Sequence, residues 1–299
     1  MIGAPPTVAL SVDFCGLDLA HPIINGSGTF DAIAARRAFG DELFERFPFS
    51  AFVSKTVTLE PRQGNPPPRL WEVAGGLMNS IGLPNKGLDG YLEHDLPILA
   101  ALPVPLIVNV MGFSREEVAA LVDAFAARPE VSAIELNVSC PNVETGLVLG
   151  ADPDETARLV HRVRPLTGKP LIVKLTPNAS DVAAVATAAQ DAGADALSLI
   201  NTLRGMALDR TGKPWLGGVT GGVSGPAVRA IALAQVYAVA QAVEIPIVGM
   251  GGVQSGRDAR DLIEAGATLV AVGTESFRDP AAGLRIASEL SELLANTAV

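Results

Sequence analysis

The chain has 299 residues, of which 48% are hydrophobic and only 18% are charged. This composition excludes intrinsic disorder, because a chain with so much apolar and so little charged material can bury a large core. With 22 basic and 32 acidic residues the formal net charge is −10 and the isoelectric point is about 4.8. Binding to a nucleic-acid backbone is therefore not expected, since an acidic chain without a basic cluster repels phosphates.

Neither a membrane segment nor a metal site is expected. The longest apolar stretch, residues 96–108, contains three prolines and is too short to span a bilayer. The first residues, MIGAPPTVALSVDF, have neither the basic nor the apolar region of a signal peptide. Two cysteines and three scattered histidines give no metal-ligand spacing and no disulfide framework. We therefore expect a soluble, cytoplasmic protein without a metal ion.

The dominant pattern is a short apolar run, then a polar or glycine-rich loop, then an Ala/Leu-rich helix, repeated along the chain. Continuous apolar runs are typical of parallel strands that are buried on both faces. Eight such strands are predicted, at 22–25, 51–54, 106–110, 133–138, 171–175, 196–200, 246–249 and 269–272. Helices are predicted between them, two with N-terminal caps at Ser114 and Asp152, and four more over 180–192, 226–243, 255–265 and 280–295.

Strands that alternate with helices predict an α/β fold, a (β/α)8 TIM barrel that forms a single domain over residues 1–299. A doubly wound open sheet is the alternative, but the first strand is followed by NGSGT and not by a GxGxxG turn. Residues 8–19 predict a short N-terminal β-hairpin that turns at Cys15 and Gly16 and plugs the bottom of the barrel. The Pro/Gly-rich segment 59–85 predicts an extended loop after strand two, and long ordered loops are usually functional.

Polar side chains recur where the predicted strands end: Lys55, Asn109, Asn137, Lys174 and the pair Asn201–Thr202. A single lysine at a strand end is most often an edge residue whose ammonium reaches water. That explanation does not account for amides and lysines at five strand ends, because polar groups in a barrel mouth are costly unless a ligand or a network satisfies them. Since the active sites of barrels lie at these ends, we expect a binding site there.

Strand four carries a candidate reactive group at its end. Period-2 alternation places Glu135, Asn137 and Ser139 on one face of this strand, and Cys140 follows directly. Free cysteines are most often inert buried residues, and we assign Cys15 to that class. Cys140 lies at the predicted active-site end and precedes a Pro-Asn loop, which favours a reactive thiol.

Glycine segments end the last two strands, GMGG at 249–252 and VGT at 272–274. Barrels bind phosphate at this place through backbone N–H groups. Either segment alone is typical of an ordinary turn, but the two together favour a phosphate site. The segment GGVSG at 221–225 would add further backbone donors.

Nine motifs, in order over nearly the whole chain, resemble those of the dihydroorotate dehydrogenase family. They are SKTVT (54–58), PRQGNPPPRLWE (61–72), NSIGLPN (79–85), NVSCPN (137–142), VKLTPN (173–178), SLINT (198–202), GGVSGP (221–226), GMGG (249–252) and VGT (272–274). The cysteine in NVSCPN resembles the class 1 enzymes, since class 2 enzymes use serine as the base and carry an N-terminal membrane segment. The following VETGLVLGADP resembles class 1B, the catalytic FMN subunit, more than the fumarate-linked class 1A.

The resemblance implies an FMN enzyme that oxidises dihydroorotate to orotate in the de novo synthesis of UMP. Cys140 would be the base that removes the C5 proton while hydride passes from C6 to FMN. The implied FMN contacts are Ser27, Lys55, Thr56, Asn109, Asn137, Lys174, Ile200, Gly225, Gly251, Gly252, Gly273 and Thr274. The implied substrate contacts are Lys55, Asn79, Ser80, Ile81, Gly82, Leu83, Asn137, Asn201 and Thr202.

The residue types agree with that chemistry. The amides of Asn79, Asn137 and Asn201 can donate and accept hydrogen bonds along the edge of planar orotate, and Lys55 or loop N–H groups can bind its carboxylate. Lys174 would stabilise the anionic reduced flavin.

Class 1B also implies a partner, an electron-transfer subunit with FAD and a [2Fe–2S] cluster, in a heterotetramer of two of each subunit. The composition agrees with that division, because such a cluster needs about four cysteines and this chain has two. The chain also has no dinucleotide fingerprint after any predicted strand. Alternatives that stay open are a dihydropyrimidine dehydrogenase-like flavoprotein, a non-catalytic flavin- or phosphate-binding barrel, and a sugar-phosphate isomerase or aldolase on the same fold.

Overall fold

A computed structural model describes residues 10–139 and 149–297 of the chain. Its strands are β1 (Val12–Phe14), β2 (Leu17–Leu19), β3 (Ile23–Asn25), β4 (Phe52–Val53), β5 (Leu70–Val73), β6 (Gly76–Asn79), β7 (Leu106–Val110), β8 (Ala133–Asn137), β9 (Leu171–Lys174), β10 (Ala196–Leu199), β11 (Leu203–Gly205), β12 (Gly221–Ser224), β13 (Ile247–Met250) and β14 (Leu269–Val272). Its α-helices are α1 (Ala32–Phe39), α2 (Glu42–Glu45), α3 (Gly87–Gly90), α4 (Leu96–Leu99), α5 (Arg115–Ala126), α6 (Pro153–Val163), α7 (Val182–Asp191), α8 (Arg229–Ala240), α9 (Gly256–Glu264), α10 (Glu275–Arg278) and α11 (Ala282–Thr297). A π-helical turn at Tyr91–Asp95 and 3-10 turns at Leu149–Ala151, Arg164–Leu166 and Pro226–Val228 complete the helical segments.

Eight parallel strands form the central sheet, in the order β3-β14-β13-β10-β9-β8-β7-β4. Each coincides with one predicted strand to within one residue at either end. Hydrogen bonds also join the two strands at the ends of that order. The Ser50 N–H donates to the Ile23 carbonyl at 3.0 Å, and the side-chain amide of Asn25 binds the backbone of Val53. The sheet is thereby a barrel, and the TIM-barrel prediction is confirmed.

The hydrophobic core has two parts, one on each side of the barrel wall. The larger part packs the outer faces of the strands against the helices. The smaller part lies inside the barrel and includes Ala133, Ala196 and Leu269, which are the first residues of their strands. Phe14 and Leu19 of the β1–β2 hairpin belong to this inner cluster and are 0% and 2% exposed. The hairpin therefore closes the amino-terminal end of the barrel, as predicted.

The hairpin turns where the sequence predicts. Cys15 and Gly16 have φ angles of 53° and 82°, the left-handed pair that a two-residue type I′ turn requires. The Cys15 thiol donates to the Asp195 carbonyl at 3.5 Å, which ties the turn to the loop before β10.

The helices between the later barrel strands begin at capping side chains. Ser114, Asp152 and Ser255 accept hydrogen bonds from backbone N–H groups three residues further on, at 3.1, 3.0 and 3.3 Å. These contacts confirm the predicted helix starts, since a cap satisfies an N–H that has no partner within the helix. The helix predicted over 180–192 is α7, with Asp181 as its cap. The helix predicted over 226–243 begins with a 3-10 turn and continues as α8.

A second, four-stranded antiparallel sheet has the order β11-β12-β6-β5. The β5–β6 hairpin lies within segment 59–85, so part of the predicted extended loop is regular structure that the sequence did not predict. The helices α1–α4 and α10 were not predicted either. No helix within the two described ranges is long and apolar enough to cross a membrane.

Candidate active site

A cavity of about 820 Å³ opens at the carboxyl ends of the barrel strands, where barrel active sites lie. Asn137 and Lys174 line it from the strand ends, and Asn79 and Ser224 line it from the second sheet. The glycine segments after β13 and β14 form a further part of the wall. The volume falls in the range of about 300–1,000 Å³ that is typical of small-molecule sites.

Most of the predicted site residues line this one cavity, although they are spread over most of the sequence. They are Ser27, Lys55, Thr56, Asn79, Ile81, Leu83, Asn137, Lys174, Ile200, Asn201, Thr202, Gly225, Gly251, Gly252, Gly273 and Thr274. Cys140 lies outside the described residues.

Three predicted site residues do not line the cavity. Asn109 is completely buried, its Nδ2 donates to the Glu135 carboxylate at 2.5 Å, and its Oδ1 has no hydrogen-bond partner among the described residues. The hydroxyl of Ser80 accepts a hydrogen bond from Asn65 at 3.0 Å. Gly82 has a φ of 75°, and a Cβ there would lie 2.4 Å from the backbone nitrogen of Asn65. Ser80 and Gly82 thus hold segment 59–85 in shape and do not contribute to the cavity surface.

The predicted alternation along β8 is confirmed. Ile134 and Leu136 belong to the outer core cluster, whereas Asn137 lines the cavity. Asn137 is the register partner of Lys174 on β9. Lys174 is 6% exposed and lines the cavity, and its ammonium has no ion pair within the part of the chain that the structure describes. A buried cation that faces a cavity and has no counter-ion in direct contact favours an anionic ligand there, because burying a charge without such a contact is costly.

An asparagine cluster lies beside this lysine. The Asn201 amide donates to the Ser139 hydroxyl at 2.8 Å and to Asn137 Oδ1 at 3.3 Å, and its own oxygen accepts from the Thr202 N–H at 2.7 Å. These contacts fix the orientation of the Asn201 amide. The Nδ2 of Asn137 has no acceptor among the residues described, so it can donate to a ligand. Asn79 Nδ2 is held by the Gly222 carbonyl at 3.3 Å.

The glycine segments after β13 and β14 lie on neighbouring strands, as the phosphate prediction requires. The N–H groups of Gly252, Gly273 and Thr274 have no acceptor in the described ranges. Gly252 has a φ of 75°, and a Cβ there would lie 2.7 Å from the Cβ of Arg229, so only glycine fits without a shift. The Thr274 hydroxyl donates to the Ser224 hydroxyl at 2.8 Å. Free N–H groups along one wall of a cavity can bind a phosphate.

Lys55 is the second lysine of the cavity, just after β4. Partial burial lowers the pKa of its ammonium, the Asp31 carboxylate opposes this shift, and the Arg69 guanidinium adds to it. Its exposed position at the cavity suits contact with a carboxylate that arrives from solvent.

Among the cavity residues with hydrogen-bonding side chains that were not predicted as site residues, three lie close to the glycine segments, namely Ser224, Gln254 and Glu275. Gln254 Nε2 donates to Glu275 at 3.1 Å, and Arg278 and Arg285 donate to the same carboxylate at 2.8 and 3.0 Å. Each of the three lies within, or one or two residues after, a predicted glycine segment. A polar residue at such a place is the signal that could have identified them.

The free N–H groups on one wall and the amide and lysine side chains on another fit a ligand that joins a phosphate to a planar polar ring. The fold and the site therefore define an α/β-barrel protein that binds a phosphorylated planar cofactor. Sequence comparison gives the particular family. Residues 9–294 match the family described as Dihydroorotate dehydrogenase, and the chain belongs to it.

Curated relatives share nearly half of their residues with this chain. The chain is 46% identical over 297 residues to "Dihydroorotate dehydrogenase B (NAD(+)), catalytic subunit" of Geobacter metallireducens, covering 97% of this chain and 94% of the relative. The protein of the same description from Geobacter sulfurreducens is 46% identical over 295 residues, with the same coverage. That from Geobacter sp. strain M21 is 47% identical over 292 residues, covering 96% of this chain and 93% of the relative.

Proposed function

We propose that this chain is the FMN-dependent catalytic subunit of a dihydroorotate dehydrogenase, which oxidises dihydroorotate to orotate in pyrimidine biosynthesis. The observation that carries the proposal is the cavity in which Lys174 and Asn137 lie side by side, next to a wall of free backbone N–H groups. Relatives that cover almost the whole chain and carry this activity in their names support it.

The described residues fit FMN as the cofactor. Gly252, Gly273 and Thr274 offer N–H groups for its phosphate, and Lys174 and Asn137 offer donors for its ring. When bound, FMN supplies a ring that accepts the hydride from C6 of dihydroorotate. Lys174 stabilises the negative charge that this transfer brings into the cavity, because its ammonium has no ion pair among the residues described.

The substrate carries a carboxylate and a planar amide edge. Lys55 is placed to bind the carboxylate, and the amides of Asn79, Asn137 and Asn201 line the same cavity as partners for the edge. The contacts of Asn201 with Ser139 and Thr202 hold its amide in one orientation, so no rearrangement is needed on binding.

Cys140 is the proposed base. It follows the described end of β8 by three residues in the sequence, in the motif NVSCPN. A thiolate at this place removes the C5 proton, and the thiol that forms releases it to solvent. Ser27, Thr56, Ile200, Gly225 and Gly251 complete the proposed cofactor contacts, and Ile81 and Leu83 the proposed substrate contacts.

The partner is proposed to be a separate electron-transfer subunit that carries FAD and a [2Fe–2S] cluster, in a heterotetramer of two of each subunit. The name of the relatives, a catalytic subunit of an NAD(+) enzyme, supports a separate subunit. A single domain over residues 1–299 and a cytoplasmic location are part of the same proposal.

The test is the spectrum of the purified chain. It should carry FMN, and anaerobic addition of dihydroorotate should bleach the flavin absorption. Dihydrouracil, which lacks the carboxylate, is the matched control and should leave the spectrum unchanged. A protein that cannot bind FMN would overturn the proposal. Reduction by dihydrouracil but not by dihydroorotate would assign the chain to the dihydropyrimidine dehydrogenase-like alternative.

A further inference from the structure

A buried carboxylate inside the barrel has no part in the function proposed above. Glu135 is 3% exposed and lies in the middle of β8. Each of its oxygens accepts one hydrogen bond, from Asn109 Nδ2 at 2.5 Å and from the Ser198 hydroxyl at 2.8 Å. A buried carboxylate with a donor at each oxygen is held in a fixed position.

The bond to Ser198 places this carboxylate next to Lys174. Glu135 is on β8 and Ser198 is on β10, and β9 lies between these strands in the sheet. Glu135 is the register partner of Ile172, and Ser198 is the register partner of Lys174. The Glu135–Ser198 hydrogen bond therefore crosses the inner face of β9 between Ile172 and Lys174.

Glu135 and Lys174 also carry opposite charges. Among the eight described barrel strands, they are the only residues with ionisable side chains. Their charged atoms are not within 4.0 Å of each other, so they form no direct ion pair. Opposite charges on side chains that are 3% and 6% exposed still attract at longer range, because water screens buried charges less than exposed ones.

We propose that Glu135 is a positioning residue whose negative charge offsets that of Lys174 and thereby sets the reduction potential of the bound cofactor. This inference rests on the proposed function, in which FMN lies against Lys174. Removing the charge of Glu135 leaves the lysine uncompensated, and an uncompensated cation stabilises the more negative, reduced form of the cofactor.

The direct test is the midpoint potential of bound FMN in the Glu135→Gln variant. Glutamine keeps the shape of the side chain and an oxygen acceptor for Asn109, but carries no charge. We expect the potential to shift upward. Ser198→Ala is the matched control, since it removes one hydrogen bond to Glu135 and leaves the charge in place, and it should leave the potential unchanged. An unchanged or lowered potential in Glu135→Gln, or an equal rise in Ser198→Ala, would overturn the proposal.

A second measurement tests the proposal in any variant that loses its flavin, because the reduction potential cannot then be measured. Glu135→Gln, Lys174→Gln and the double variant form a cycle for urea unfolding. We expect the double variant to be more stable than the sum of the single effects, because it leaves no uncompensated charge in the barrel. Strict additivity would overturn the proposal. The unfolding cycle does not depend on the proposed function. That function would fail separately, if dihydroorotate did not reduce the flavin of the wild-type protein.

Discussion

The side-chain amide of Asn25 binds both backbone groups of Val53. Its Oδ1 accepts from the Val53 N–H at 2.8 Å, and its Nδ2 donates to the Val53 carbonyl at 2.8 Å. Asn25 ends β3 and Val53 ends β4, the two strands at the ends of the sheet order. The amide thus acts as a peptide group would. It joins β3 to β4, which is only two residues long.

Asn25→Ala should destabilise the protein by about 2–6 kcal/mol, because it leaves two buried backbone groups of Val53 unsatisfied at about 1–3 kcal/mol each. The measurement is the free energy of unfolding in urea. Asn296→Ala, at an exposed position of α11, is the matched control and should change stability by less than about 0.5 kcal/mol. Equal effects of the two substitutions would show that the amide does not stabilise the closure.

The eight barrel strands could be predicted because each is a continuous apolar run, which is what burial on both faces demands. The second sheet could not. Its strand β12 reads GGVS, without apolar alternation, and β5 has mostly exposed side chains. β12 pairs with β11 on one side and with β6 on the other, and β6 lies far away in the sequence. Pairing over such a distance leaves no local pattern to read.

The site, like the fold, could be predicted only in part. Glycines and amides at strand ends could be predicted, because barrel geometry brings all strand ends to one place. The displacement of Asn109 from the cavity surface could not, since it depends on the contact with its register partner Glu135 on the neighbouring strand β8. The alternation of β8 predicts the inward face of Glu135, but only the register shows that its carboxylate reaches Ser198.

Acid should lower the free energy of unfolding of the protein, in part because His21 becomes protonated. This residue is 9% exposed, and burial lowers its pKa from 6.5 to about 4. Because the folded-state pKa is the lower one, the unfolded chain binds the proton first. The contribution of His21 to stability is therefore complete above about pH 6.5 and is lost as the pH falls towards about 4.

His21→Gln should make the free energy of unfolding less dependent on pH, by about 2 kcal/mol between about pH 7.5 and pH 5. Urea unfolding at the two pH values measures the difference. His161→Gln, at an exposed position of α6, should keep the wild-type dependence. If His21→Gln also keeps the wild-type pH dependence, protonation of His21 is not its cause.

Cys140→Ala should retain FMN but lose roughly 10²–10⁴-fold in the rate of flavin reduction by dihydroorotate, as expected on loss of a general base. The wild-type rate should rise with pH, because free thiols titrate near about 8.5. Stopped-flow reduction measures both. Cys15→Ala is the matched control and should reduce at the wild-type rate. Near-normal reduction in Cys140→Ala would contradict the assignment of the base.

The two thiols should also differ in chemical reactivity. Burial, with smaller effects of Asp195 and Asp13, raises the pKa of Cys15 to about 11. Because the thiolate is the reactive form, Cys15 should be alkylated slowly at pH 8. Labelling of Cys140→Ala, in which Cys15 is the remaining cysteine, measures this rate directly, and rapid labelling would be the contrary result.

Lys174→Met should weaken FMN binding or slow flavin reduction, by roughly 10²-fold if the full electrostatic contribution of the ammonium is lost. The reason is the position of Lys174, buried at the cavity without an ion pair in the described part of the chain. Flavin content and reduction rate are the measurements. Lys213→Met, at an exposed position, provides the control. Unchanged flavin content together with an unchanged rate would place Lys174 outside the site.

The purified chain should not reduce NAD by itself. A [2Fe–2S] cluster needs about four cysteine ligands, whereas this chain has two, and no dinucleotide fingerprint follows any of its predicted strands. Electrons should therefore leave the cavity through a second subunit that docks near it. Steady-state turnover with dihydroorotate and an artificial dye, NAD or fumarate separates the possibilities. We expect dye reduction without NAD reduction, and NAD reduction once the electron-transfer subunit is added. Rapid NAD reduction by the chain alone would refute the partner, and rapid fumarate reduction would assign the chain to class 1A.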